Sequence, residues 1–200
     1  MMAGGKNIRA FLAIEPPDDI LSAVIGLQEK LRRVIKGKIA WTRAGSQHIT
    51  LKFFGDVPAE DIDAIGRSVQ NRLQAGWSVN LKIAGLGLFP DARKPRVLWC
   101  AAAGDVAKLA ALQKQLDNDF APLGFAPETR PFRPHLTLAR IREPQTVRGL
   151  NEALEGQADF FTGQFNVHEL ILFQSRLRPE GASYTKLAAF PLEPPGYGEK

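Results

Sequence analysis

Two hundred residues with 44% hydrophobic and 24% charged side chains suit one globular domain, or two small lobes sharing a core, and argue against disorder. A formal charge of +5 suits a polyanionic partner, because Lys and Arg neutralise phosphates and release counterions. The lone cysteine, Cys100, excludes an intramolecular disulfide and reads as a buried thiol within Val97-Leu98-Trp99-Cys100.

Along the chain, Met1 to Lys6 is polar and Gly-rich, and Ile8 to Ile14 reads as a first strand. That apolar run stops at Glu15-Pro16-Pro17, too short for a signal-peptide core. No segment approaches the roughly 18 apolar residues that cross a bilayer, so a membrane-free, cytoplasmic protein is expected. Pro16-Pro17-Asp18-Asp19 makes a turn and an acidic helix start, and Leu21, Val24, Ile25, Leu27, Leu31 and Val34 recur at helical spacing up to about Ile35. Ile39 to Thr42 is a short strand and Gln47 to Phe54 a longer one, broken by Gly55-Asp56-Val57-Pro58. A second amphipathic helix spans Asp61 to Leu73. Val79 to Leu88 and Arg96 to Ala103 read as strands around a turn-rich stretch, and Val106 to Phe120 as a third helix. Pro134 to Ile141 is a strand, Val147 to Leu154 a short helix, Phe160 to Phe173 strand-rich, and Ala182 to Phe190 the closing strand. Residues 191–200, rich in Pro and Gly, read as a tail behind a single domain of residues 1–190. Strands that follow one another without an intervening helix favour α+β with mainly antiparallel sheet.

One short pattern recurs. His48-Ile49-Thr50-Leu51 and His135-Leu136-Thr137-Leu138 lie 87 residues apart, each inside a predicted strand. Side chains two apart on a strand share a face, so each tetrad offers an imidazole and a hydroxyl to one side and two apolar anchors to the other. Two half-buried histidines with no chemistry are the bland alternative, and the matched second copy weighs against it. A zinc site is disfavoured, because the residue at +2 is Thr in both copies and no Cys or acidic residue stands at ligand spacing. No metal or cofactor is expected.

Two imidazoles facing one cleft suit phosphoryl chemistry. With an ordinary pKa near 6.5, one ring can be neutral while its twin is protonated. The first takes a proton from attacking water and the second gives one to the departing oxygen. Thr50 and Thr137 can donate to non-bridging phosphate oxygens, where charge must be held.

At these residues the chain resembles the 2H phosphoesterase superfamily, and within it the RNA 2′,3′-cyclic phosphodiesterases, also called 2′-5′ RNA ligases. The resemblance runs from Arg9-Ala10-Phe11-Leu12-Ala13-Ile14 through His48-Ile49-Thr50-Leu51-Lys52-Phe53-Phe54-Gly55, Gly87-Leu88-Phe89-Pro90 and Pro95-Arg96-Val97-Leu98-Trp99. It continues in Phe132-Arg133-Pro134-His135-Leu136-Thr137-Leu138-Ala139-Arg140, Gln174-Ser175-Arg176-Leu177 and Gly181-Ala182-Ser183-Tyr184. It implies a two-lobed pseudo-twofold fold, with two mainly antiparallel sheets lining a central cleft and helices outside. It implies that His48 donates a proton to the 3′-oxygen, that His135 activates water, and that the product is a 2′-phosphate. The threonines would hold phosphate, and Arg140 would supply a basic contact, although its parity is opposite to His135 and Thr137. The partners it implies are cyclic-phosphate-ended RNA and cyclic nucleotides, handled by a monomer.

Arg130, Arg133, Arg140 and Arg142 crowd around the second motif, and Arg133 is a further candidate for phosphate. Lys52 shares parity with His48 and Thr50, so it is expected in the cleft. Phe11 is a candidate for base stacking, and Arg93, Lys94 and Arg96 for steering an RNA backbone. The same machinery permits the reverse, 2′-5′ joining reaction. A non-catalytic RNA-binding module, or a phosphodiesterase for another cyclic nucleotide or ADP-ribose derivative, stands as the alternative.

Overall fold

Strands and helices follow the apolar periodicity through most of the chain. The computed structural model describes residues 7–178 and 181–192. Nine strands and four α-helices succeed one another there: β1 (Asn7–Ile14), α1 (Asp18–Val34), β2 (Ile39–Trp41), β3 (Ile49–Pro58), α2 (Ile62–Leu73), β4 (Asn80–Phe89) and β5 (Val97–Gly104). Then come α3 (Val106–Phe120), β6 (His135–Ile141), α4 (Leu150–Glu155), β7 (Phe165–Asn166), β8 (Glu169–Arg178) and β9 (Gly181–Pro191). The start of α1 carries Asp18 and Asp19 and its last turn Arg32 and Arg33, complementing the helix dipole.

The strands pair in the order β7-β4-β5-β6-β3-β1-β8-β9, with β2 added on β6. Every pairing is antiparallel. β3 and β6 meet at one residue pair, Ile49 with Leu136. The expected two sheets are therefore two halves of one curled sheet, joined at a narrow seam. One face of the sheet buries Leu12, Ile49, Leu81, Leu98, Leu136 and Leu172 against the helices. The other carries a small separate cluster of Phe11, Ala13, Ile171 and Phe173, with Tyr184 against it. That second face is the cleft.

Three boundaries differ from expectation. β3 does not stop at Gly55 but runs on to Pro58. Gly55, at φ +78°, takes the left-handed conformation of a bulge that the strand passes through. The strand-rich stretch after Phe160 forms only the two-residue β7 before β8 begins at Glu169. The fold holds two residues expected in the tail: Pro191 ends β9, and Leu192 is buried, with its N–H bonded to the His168 carbonyl and its own carbonyl accepting from Trp77 N. Residues 193–200 lie outside the described residues. Among the described residues, no helix is long and apolar enough to cross a membrane.

Candidate active site

Both tetrads sit at the seam between the sheet halves. Pairing of Ile49 with Leu136 runs their strands antiparallel, and continuing that register sets Thr50 beside His135 and His48 beside Thr137. Ile49, Leu51, Leu136 and Leu138 are buried on the helix side. His48, Thr50, His135 and Thr137, which alternate with them, are half-buried on the cleft side. Two imidazoles and two hydroxyls thus converge, related by an approximate twofold through the seam.

The alternation breaks at the same point in both strands. In β3, Thr50 pairs with Ala13 and Lys52 with Leu12, which leaves Leu51 without a partner. In β6, Thr137 pairs with Trp99 and Ala139 with Leu98, which leaves Leu138 without one. Each is a β-bulge, an extra residue that turns the rest of the strand over. The consequence shows in burial. Counting from Ile49 and from Leu136 as the first, five residues run buried, half-buried, buried, buried, exposed. The exposed fifth residues are Phe53 and Arg140.

This corrects the parity reading of Lys52. The bulge sends it to the helix side, where it is buried, ion-paired with Asp117 of α3 and bonded to the Ala126 carbonyl at 2.6 Å. It borders the cavity beside Thr50 with its charge already paired. The same device admits Arg140, whose charge acts on His48, His135 and Tyr184. Phe53 is 65% exposed. Phe11, a candidate for base stacking although a strand Phe is more often core, is 1% exposed, with its ring packed on His48, Phe173, Phe53 and Tyr184. It shapes the site from below and has no free face to offer.

The two rings are held alike. His48 Nδ1 lies 3.0 Å from the Ser46 carbonyl and His135 Nδ1 2.7 Å from the Arg133 carbonyl. A carbonyl only accepts, so each Nδ1 carries the proton and each Nε2 is left to react. Aromatic rings fix the remaining freedom. Tyr184 meets His48 edge-on at 5.0 Å, and Phe89 does the same to His135 at 5.0 Å while stacking on Trp99 at 4.8 Å. Trp99 lies across Gly87, where a Cβ would come within 2.1 Å of the indole.

Burial lowers the pKa of both rings. It takes His48 to about 4, helped by the charges of His135 and Arg140 and opposed by the Ser46 carbonyl and Glu15. It lowers His135 as well, with Arg140 adding to the effect. Both imidazoles are therefore neutral at pH 7 in the empty cleft. Arg133, besides lending its carbonyl to His135, lines a cavity of about 870 Å³ that opens beside His135 and Thr50. Phe53, Phe89, Arg96 and Arg130 line it too. Arg130 is occupied by Glu128, at 3.0 Å, and Arg96 by the Arg142 carbonyl, at 2.9 Å. Among the described residues there is no group of three or more His, Cys, Asp or Glu placed to hold a metal ion.

Sequence reasoning from parity missed Phe53, Trp99, Phe89 and Tyr184. Trp99 stands on β5 beside β6, whereas Tyr184 stands on β9 with β1 and β8 between it and β3, and only tertiary structure brings them to the histidines. The matched burial in the two strands would have been legible only with both bulges known.

Known proteins are similar to this chain in sequence and fold. Residues 24–178 match the 2′-5′ RNA ligase superfamily. An RNA 2′,3′-cyclic phosphodiesterase of Methanothermobacter thermautotrophicus is 32% identical over 93% of this chain and all of its own length. One from Aquifex aeolicus is 29% identical over 94% of this chain and 98% of its own. Among solved structures, E. coli LigT complexed with 3′-AMP superposes with a TM-score of 0.70 at 26% identity, covering 92% of this chain and 98% of LigT.

Proposed function

The chain belongs to the 2′-5′ RNA ligase superfamily, and on that footing we propose that it hydrolyses RNA 2′,3′-cyclic phosphate ends to 2′-phosphates by two-histidine acid–base catalysis without a metal. The observation that supports this reading is the pair of imidazoles flanking one seam, each anchored through Nδ1 to a carbonyl two residues before it.

The five-membered cyclic phosphate enters strained and anionic. Its charge offsets the burial that keeps the empty site's imidazoles neutral, so binding raises their proton affinity and a single proton can be held between them. Neutral His135 takes a proton from water through Nε2 as the water attacks phosphorus. The P–O3′ bond breaks in line with that attack, and His48, protonated at Nε2, gives its proton to the 3′-oxygen. The 2′-phosphate leaves with the protons exchanged between the two rings, and solvent resets them. Thr50 and Thr137 donate to the non-bridging oxygens, and Arg140 holds the charge that builds there. Phe53, the exposed aromatic on the cleft face, supplies a stacking surface for the terminal base. Arg133, on the cavity wall, lies on the path of the polynucleotide. The 5′-hydroxyl of a second RNA in place of water gives the joining reaction by microscopic reversibility. A monomer in the cytoplasm is the expected working form, and the buried Cys100 fits a reducing compartment.

The test is hydrolysis of the four 2′,3′-cyclic nucleotides in excess chelator, with the product position assigned by phosphorus NMR. His48→Ala and His135→Ala should each lower kcat by about 10²–10⁴-fold, the usual worth of one acid or base. Full turnover in either variant, or a 3′-phosphate product, would overturn the assignment. RNA binding that survives both substitutions, with no hydrolysis by the wild type, would indicate a binding module instead.

A further inference from the structure

Two helices each carry one glutamine on the buried face, which in α3 also holds Asp117, and the two glutamines reach matching places. Gln28 stands between Leu27 and Leu31 on the buried side of α1, and Gln113 between Leu112 and Leu116 on that of α3. They are 3% and 8% exposed. A buried amide is costly unless it is hydrogen-bonded, so their partners are informative. Gln28 Nε2 donates to the Leu138 carbonyl at 2.8 Å and to the Thr42 carbonyl at 2.8 Å. Gln113 Nε2 donates to the Leu51 carbonyl at 3.4 Å.

Leu51 and Leu138 are the two bulge residues, each the fourth position of a tetrad. The helices are crossed. α1 follows β1 yet reaches β6, and α3 follows β5 yet reaches β3. A bulge interrupts the ladder of its strand and leaves its peptide groups in need of other partners. At Leu138 the carbonyl also accepts from Thr42 N at 2.9 Å, so Gln28 ties the end of β2 into the same node.

We propose that Gln28 and Gln113 are twin positioning residues, each holding the bulge that turns one substrate-facing side chain into the cleft. Gln113 governs Phe53, and Gln28 governs Arg140. Neither glutamine touches the reacting atoms. Their effect reaches substrate through the side chain two positions past each bulge residue. The inference rests on the reading above for its kinetic assay, and on the fold alone for its exchange assay.

The experiment combines Gln28→Met and Gln113→Met, which keep side-chain length, with Arg140→Ala and Phe53→Ala in double-mutant cycles on cyclic-nucleotide hydrolysis. Leu versions of the glutamine variants serve if a Met variant fails to fold. Gln113→Met should raise KM roughly three- to ten-fold, the scale of one buried hydrogen bond, with kcat within about two-fold of wild type. That rise should vanish in the Phe53→Ala background and persist in Arg140→Ala. Gln28→Met should instead lower kcat by a similar factor, because Arg140 acts on charge that builds during the reaction, and that loss should vanish in the Arg140→Ala background and persist in Phe53→Ala. Amide exchange without ligand should quicken at residues 51–53 in the first variant only and at 138–140 in the second only. Additive matched pairs, or equal coupling in the crossed pairs, would overturn the inference. Wild-type protein that opens no cyclic nucleotide would instead sink the functional reading, and the exchange pattern would still decide the role of the glutamines.

Discussion

At His48 the protein keeps an imidazole where charge is disfavoured. Its pKa falls from 6.5 to about 4, chiefly because the ring is buried among Phe11, Phe173 and Tyr184. The sign of the linkage follows. Between pH 6.5 and about 4 the unfolded chain binds a proton here and the folded one does not, so stability is fully present above 6.5 and is lost as pH falls through that window. Two and a half pKa steps amount to about 3 kcal/mol, less what partial exposure screens away. His48→Gln should therefore lose less stability than wild type between pH 7 and 4.5, as urea denaturation would measure; identical losses would contradict the shift. Kinetics should carry the same signature. Because both rings are lowered in the empty cleft, the optimum of kcat/KM should lie below pH 6.5, and kcat, measured with the phosphate anion bound, should peak at higher pH. Coincident optima would show that the bound anion does not restore the proton.

Within the elements, small deviations from regularity decide what the cleft contains. Gly87 is one. Its missing Cβ leaves room for the Trp99 indole, on which Phe89 stacks before meeting His135. Gly87→Ala should push the indole aside, cost about 1–3 kcal/mol as overpacking does, and lower kcat/KM by disturbing His135. Near-UV circular dichroism would report the moved indole, and an unchanged tryptophan signal with unchanged activity would refute the coupling. The paired bulges are the larger deviation. Strict alternation would send Lys52 to the cleft and Phe53 and Arg140 to the core, and one extra residue in each strand reverses all three.

For the molecule as a whole, the seam alone is a thin join, one residue pair between two sheet halves. The crossed helices reinforce it, and a buried charge pair adds to this. Lys52 of the first motif strand holds Asp117 of α3, whose second oxygen accepts the Glu128 N–H at 2.5 Å, while Lys52 also bonds the Ala126 carbonyl. These contacts pin the segment that leads to Arg133, the residue whose carbonyl sets His135. Lys52→Met leaves a carboxylate buried without its cation and should cost about 3–5 kcal/mol. Adding Asp117→Leu should recover part of that loss, because no lone charge is then buried. Denaturation of the single and double variants would settle it, and a double variant no more stable than the single one would show that the pair is worth more than its replacement.

Most of the fold was legible along the chain, because helix and strand periods are local and the apolar residues obey them. The site's four central residues were legible for the same reason: His48, Thr50, His135 and Thr137 precede their bulges, so two-residue alternation still holds there. What lay beyond each bulge was decided by tertiary structure. Lys52, Phe53 and Arg140 take their sides from an inserted residue whose placement depends on neighbouring strands and on glutamines arriving from distant helices. Phe11 takes the core place that a strand Phe more often has, covered by Phe173 of β8 and Tyr184 of β9. The sequence by itself singled out the candidate groups for chemistry on a phosphate. The folded sheet decided which of their neighbours face it, because side-chain direction in a strand is inherited from pairing and not from local composition.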